Sequence, residues 1–124
     1  MGANGFKNQL KNKMNIFVHS VYKVTKKFPK EELYGATSQL RRSALSVILN
    51  YIEGYGRAQP KSQLQFFRIA YGSLQEAKYL LQFAFDESYF EQSTDIYDAL
   101  FSEADEIGAM LWTELANLEN KLSQ

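Results

Sequence analysis

Arg41, Arg42, Arg57, Lys61 and Arg68 are the residues whose type and spacing best suit a chemical task in this chain. A guanidinium is planar, permanently charged and forked, so it can grip a phosphate with two hydrogen bonds. Several such groups on one surface would hold a nucleic-acid backbone in a salt-dependent, largely sequence-independent way. Asn50, Glu53 and Arg57 make a second constellation, because steps of three and four place them along one side of a helix. Two readings of that set are open. Inside a bundle it would be a satisfied polar network that fixes helix register. On the outside, Arg57 would join the other cations and face phosphate. The structural role is the preferred one.

Little else could carry a reaction. His19 is the only histidine, with Ile16 three residues before it, so the Glu-x-x-His pairs of a ferritin-like metal centre are missing. It is read as a partly buried polar residue. The chain has no cysteine, which excludes a thiolate nucleophile, a disulfide framework and a cysteine zinc site. The acidic pairs Glu31/Glu32, Asp95/Asp98 and Glu103/Glu106 fall near helix starts or on faces expected to be exposed. There, acids serve the helix dipole and solubility. Gly54-Tyr55-Gly56 lacks the Gly-Lys-Ser/Thr and the preceding strand of a phosphate loop. The expectation is a chain that is not an enzyme and uses no cofactor or metal.

The formal charge is zero, but it is unevenly placed. Residues 1–61 carry eleven Lys/Arg against three acids, a balance of +8, and residues 62–124 carry three against eleven, a balance of −8. Such a split suits either a basic face offered to a polyanion or halves that meet and neutralise one another. No apolar run approaches the roughly 18–20 residues that span a bilayer, and no signal-peptide pattern opens the chain. A cytoplasmic protein with no membrane contact is expected.

These residues must be held by helices, since apolar positions recur at three and four throughout and nothing alternates as a strand does. Phe6, Leu10, Met14, Phe17, Val21 and Phe28 mark a first helix over about residues 6–27, ended by Pro29. Residues 1–5 read as a loose start, disordered or left over from cloning. A second helix follows Tyr34-Gly35, with Thr37 or Ser38 as its cap, and stops at Gly54-Tyr55-Gly56. A third runs from Pro60–Ser62 to about Asp86. The fourth starts at Ser93-Thr94-Asp95 and extends to about Leu122. Four similar lengths with short connections predict a single all-α domain, an antiparallel up-down-up-down four-helix bundle.

The middle helices are apolar on too many sides for a lone bundle. In the second, Leu40, Ala44, Val47, Ile48 and Tyr51 make one face and Leu45, Leu49 and Ile52 another. A surface helix of a monomer needs one apolar stripe about 100° wide. The third helix repeats this character, with Ala70, Gly72, Ser73 and Ala77 small enough for close approach. Nine Phe and eight Tyr exceed what one core of this size is expected to absorb. Self-association is the economical explanation.

The motifs resemble a known family. Phe28-Pro29-Lys30-Glu31-Glu32-Leu33-Tyr34-Gly35 and Ser38-Gln39-Leu40-Arg41-Arg42-Ser43-Ala44-Leu45-Ser46-Val47 are similar to segments of the 23S rRNA intervening-sequence proteins. So are Asn50-x-x-Glu53-Gly54-Tyr55-Gly56-Arg57 and Phe66-Phe67-Arg68-Ile69-Ala70-Tyr71-Gly72-Ser73-Leu74-Gln75-Glu76. Together they cover about half the chain in the family's order. Tyr51-Ile52 departs from the usual Ile-Ala. The resemblance implies a four-helix bundle that assembles as a homopentamer. It also implies distant kinship with the accessory variability protein of diversity-generating retroelements, a basic pentamer that binds a reverse transcriptase and nucleic acid. By the same resemblance Arg41, Arg42, Asn50, Glu53, Gly54 and Arg57 stand at motif positions, none with a proven catalytic role. The expected function is a homo-oligomeric scaffold binding RNA or DNA or a nucleic-acid enzyme; the alternative is a structural oligomer that binds only protein.

Overall fold

Apolar spacing at three and four resolves into four long helices in the computed structural model, which describes residues 3–91 and 93–124. They are α1 (Ala3–Thr25), α2 (Ala36–Tyr55), α3 (Pro60–Asp86) and α4 (Thr94–Leu122), with one 3-10 turn, Lys30–Glu32, between the first two. No strand occurs among the described residues. α1 opens at Ala3, so Ala3–Gly5 are helical where a loose start was expected; Met1 and Gly2 lie outside the described residues.

Local chemistry sets the helix ends. The Thr25 hydroxyl donates to the carbonyls of Val21 (2.7 Å) and Tyr22 (3.2 Å), competing with the helix ladder, and Pro29 disfavours helical backbone at Phe28. α2 starts on Gly35, not on a hydroxyl cap: Thr37 is buried, and neither it nor Ser38 caps the helix. Pro60 opens α3 from an extended Gln59 (ψ 129°). α4 begins at the expected Ser93–Thr94, although the Ser93 side chain makes no capping bond.

The glycines at the end of α2 have a different purpose from the expected stop. Gly56 has φ −78°, ordinary helical backbone. Gly54 lies inside the last turn, where an added Cβ would sit 2.5 Å from Cε1 of Phe67. It is the close approach of α3, and not a left-handed turn, that calls for glycine here.

Each helix packs on its two neighbours and α1 closes the ring against α4, with the α2–α3 seam the most extensive. The up-down-up-down arrangement follows from this ring and the short connections. The core is one stripe from each helix: Leu10, Met14, Phe17 and Val21; Leu40, Ala44, Val47 and Tyr51; Phe67, Ala70, Leu74, Ala77 and Leu81; Ala104, Ile107, Leu111 and Leu115. Ala70 and Ala77 are fully buried as small contact residues, whereas Gly72 faces open space.

The bundle absorbs more aromatics than its length suggests. Phe28, Phe83, Phe85, Tyr89, Phe90, Tyr97 and Phe101 form one chain of ring contacts near the α3–α4 turn. Tyr51, Tyr55 and Phe67 form another at the opposite end. The aromatic load is thus largely internal, and the surplus left outside is chiefly aliphatic.

Candidate functional site

The structure divides the five expected cations between two ends of the bundle. Arg42 lies early in α2 and Arg57 just past its end at Tyr55, so most of the helix, roughly 20 Å at about 1.5 Å per residue, separates them. Arg41 is tied into the α1–α2 seam: its Nε donates to Thr25 Oγ1 at 2.8 Å and its guanidinium lies 4.8 Å over the Tyr22 ring. Arg42 is exposed beside Ser46, Ser73 and Glu76. Arg57, Lys61 and Arg68 share the end with the α2–α3 turn. Arg57 is engaged by Glu53 (2.6 Å) and lies 4.7 Å over Phe66; Arg68 is engaged by Glu119 (2.6 Å); Lys61 is exposed. The start of α1 and the finish of α4 bring Lys7, Lys11 and Lys121 to that same end.

Asn50, Glu53 and Arg57 do not form one buried network. Glu53 and Arg57 are an exposed ion pair, whereas Asn50 turns to the α2–α3 seam. Its Nδ2 donates to the Ser46 carbonyl (2.8 Å) and hydroxyl (2.9 Å), and Ser46 and Ser73 share a hydrogen bond at 2.7 Å. Spacing in one helix cannot separate these outcomes, because positions three or four apart remain neighbours whether the face is wet or covered.

A cluster that sequence reasoning missed closes the same end. Glu114 of α4 accepts hydrogen bonds from the Tyr51 hydroxyl and, at 2.5 Å, from the Tyr55 hydroxyl, both on α2. Tyr51 is fully buried, stacked on Phe67 with centroids 5.3 Å apart. Burial, then the bond to Glu114, raises the pKa of both hydroxyls, Tyr55 to about 12. Both therefore remain donors throughout the physiological range. The signal in the sequence is faint: Tyr51 and Tyr55 are one turn apart, and Glu114 interrupts the apolar series Leu111, Leu115, Leu118.

The other acids have mostly structural surroundings. Glu106 pairs with Lys13 across α1–α4, the one ion pair among the described residues that joins the two charged halves, whereas Asp105 pairs with Lys78 across α3–α4 within the acidic half. Glu32 accepts from the Tyr89 hydroxyl at 2.9 Å, a bond that pushes Tyr89 up to about 12. Glu103 is not exposed as expected. It is half-buried, with Ser20 3.5 Å from Oε1 and Oε2 sealed without a donor, and burial raises its carboxyl pKa. His19, expected partly buried, is exposed on α1. Among the described residues no group of three His, Asp or Glu side chains could hold a metal ion, and no helix is long and apolar enough to cross a membrane.

Ring packing, short turns and stripe-like core define an antiparallel four-helix bundle. A family model described as 23S rRNA-intervening sequence protein matches residues 7–113, and the chain belongs to that family. The bundle also matches the crystal structure of a protein of unknown function from the S23 ribosomal protein family of Bacteroides thetaiotaomicron. The TM-score is 0.81 at 20% identity, covering 90% of this chain and 98% of that one, a likeness of fold. No curated protein matches this chain.

Proposed function

We propose that this chain is a non-enzymatic homo-oligomeric scaffold, a pentamer, that serves as an adaptor for nucleic acid or for a nucleic-acid enzyme such as a reverse transcriptase. The observation that carries the oligomer is the outer face of α2. Leu49 is 59% exposed and Ile52 47%, half-buried Leu45 continues their row, and Ile69 of the neighbouring α3 is 44% exposed. An apolar row rimmed by Arg42, Ser46 and Glu53 has the composition of an interface, with a greasy centre and a polar margin. The number five rests on the family.

The nucleic-acid limb is supported by the end that gathers Lys7, Lys11, Arg57, Lys61, Arg68 and Lys121. Repetition around a ring would multiply weak phosphate contacts into avid binding. Light scattering on the purified chain tests the oligomer, and salt-titrated binding to RNA and DNA tests the adaptor role. A monomer removes the first, and no binding even at low salt removes the second.

One observation favours the protein-only alternative: Arg41, Arg57 and Arg68 each already have partners within the chain. On that reading the oligomer co-purifies with a protein and without nucleic acid.

A further inference from the structure

A cleft of about 380 Å³ opens over the Tyr51–Tyr55–Glu114 cluster, walled by Phe6, Tyr55, Phe67 and Leu118, with Glu114 and the exposed Lys121 as its charged lining groups. Glu114 is partly withdrawn from water, yet none of the ion pairs among the described residues involves it. A carboxylate removed from solvent is ordinarily paired with a cation or fully hydrogen-bonded. Two tyrosine hydroxyls occupy two of its roughly four acceptor positions, so it can take further donors; the nearby cations, exposed Lys121 in the lining and Lys7 over the Tyr55 ring, form no ion pair with it.

The walls favour the same kind of occupant. Tyr55 and Phe67 have ring centroids 5.3 Å apart, and aromatic faces attract positive charge. Lys7 Nζ already lies 4.4 Å over the Tyr55 ring, an internal example of that attraction. Gln63, Thr113 and Asn117 add carbonyl and hydroxyl acceptors to the lining. Phe6 and Leu118 offer apolar surface to a carbon stem. An anion would meet the half-buried Glu114 charge with only the solvent-screened Lys121 to offset it, and a neutral apolar molecule would leave that carboxylate without an ion-pair partner.

We propose that this cleft binds a small organic cation, an ammonium or guanidinium group on an apolar stem, with its charged head against Glu114 and its stem along Phe6, Phe67 and Leu118. The site lies within one chain and requires neither nucleic acid nor the oligomer. The charge is read by Glu114 and the body by the aromatic wall.

The test uses the full chain with three probes of one shape: 2-phenylethylamine, 2-phenylethanol and phenylacetate. NMR titration is expected to show saturable binding of the amine, with shifts centred on Tyr55, Phe67 and Leu118, at least tenfold tighter than the alcohol and with no binding of the acid. Glu114→Gln, nearly isosteric, is expected to weaken the amine at least tenfold while the helical circular dichroism is kept; Glu119→Gln, in a surface pair, is expected to leave it unchanged. Should Glu114→Gln fail to fold, Leu118→Lys at the rim must weaken the amine by repulsion and leave the alcohol as it was. Equal binding of amine and alcohol, or wild-type affinity in Glu114→Gln, overturns the proposal. So does absence of saturation up to roughly 10 mM, beyond the millimolar range of a weak small-molecule site.

Discussion

The hydroxyl of Tyr55 on α2 donates to Glu114 Oε2 on α4 at 2.5 Å, across the diagonal of the bundle. Nowhere among the described residues do Cα atoms of these two helices come within 8 Å of one another. Neighbouring helices in the ring are joined by packed stripes, but the diagonal is bridged by long side chains. Tyr51, one turn earlier, donates to the other oxygen of the same carboxylate. The pair thus ties α2 to α4 where the core gives way to the cleft, and Phe67 of α3 stacks against it.

Removing either donor should be felt in stability. Hydrogen bonds to a charged group contribute about 1.5–3 kcal/mol, and Tyr51 is the more buried donor. Tyr51→Phe is expected to lower unfolding stability by about 2 kcal/mol at pH 7, and Tyr55→Phe by less, read by urea denaturation. The pH dependence has a definite sign. Both hydroxyls have native pKa values above their ordinary value of 10, Tyr55 at about 12, so the native state keeps protons that the unfolded chain releases. Their contribution is therefore complete below pH 10 and is lost as pH rises toward 12 and beyond. A Tyr51→Phe/Tyr55→Phe double variant should lose this part of the alkaline decline; an unchanged slope would rule out the account.

Gly54→Ala sets two effects of opposite sign against each other. Alanine is favoured over glycine in a helix by about 1 kcal/mol. The new methyl, however, would meet the Phe67 ring at 2.5 Å, and overpacking of a filled site costs about 1–3 kcal/mol. The contact should win, giving net destabilisation in thermal melts. In a Phe67→Leu background the same change should cost less or stabilise. An equal cost in both backgrounds would show that Phe67 is not what requires the glycine.

The parts of the structure legible in the sequence are those written locally. Pro29, Pro60 and Ser93–Thr94 locate breaks because they act on backbone beside them, and the steps among Leu40, Val47 and Tyr51 reveal a buried stripe. The second row, Leu45, Leu49 and Ile52, was legible for the same reason. The Tyr55–Glu114 bond was not, since it joins positions 59 residues apart, and the relative rotation of diagonal helices is not encoded in the periodicity of either one. Asn50 and Glu53 show the converse limit: a shared helix side is readable, but Asn50 turns to Ser46, which Ser73 of the facing helix engages, while Glu53 stays exposed with Arg57. The aromatic count misled in part because ring clusters at both ends of the bundle took in residues that a cross-section of the core alone could not hold.

Glu103 should make stability depend on pH in the direction opposite to the usual paired carboxylate. Burial raises its native pKa, helped by the nearby Glu106 charge and opposed by Ser20. The native state therefore holds its proton more firmly than the unfolded chain. Its contribution is most favourable below the ordinary carboxylate pKa of 4.5 and declines as pH rises through the raised native value. Glu103→Gln should accordingly melt higher than the parent at pH 8, and the difference should shrink on acidification toward pH 4. A gain that stays constant across that range would place its origin elsewhere than in ionisation.

Leu49 and Ile52 offer the sharpest separation of the scaffold proposal from a monomeric bundle. Both are about half exposed, so polar replacements leave the core stripe of Leu40, Val47 and Tyr51 intact. Surface changes of this kind usually shift folding stability by no more than about 0.5 kcal/mol. Leu49→Glu combined with Ile52→Lys should therefore preserve helicity and melting of the fold while reducing the solution mass toward the 14.3 kDa of one chain. Trp112→Gln, on exposed surface of α4 beside Tyr71, serves as the control and should leave the assembly unchanged. Light scattering of the three proteins at equal concentration decides the matter. A parent already at monomer mass defeats the oligomer itself. An unaltered multimer in the double variant would move the interface from the outer row of α2 to another face.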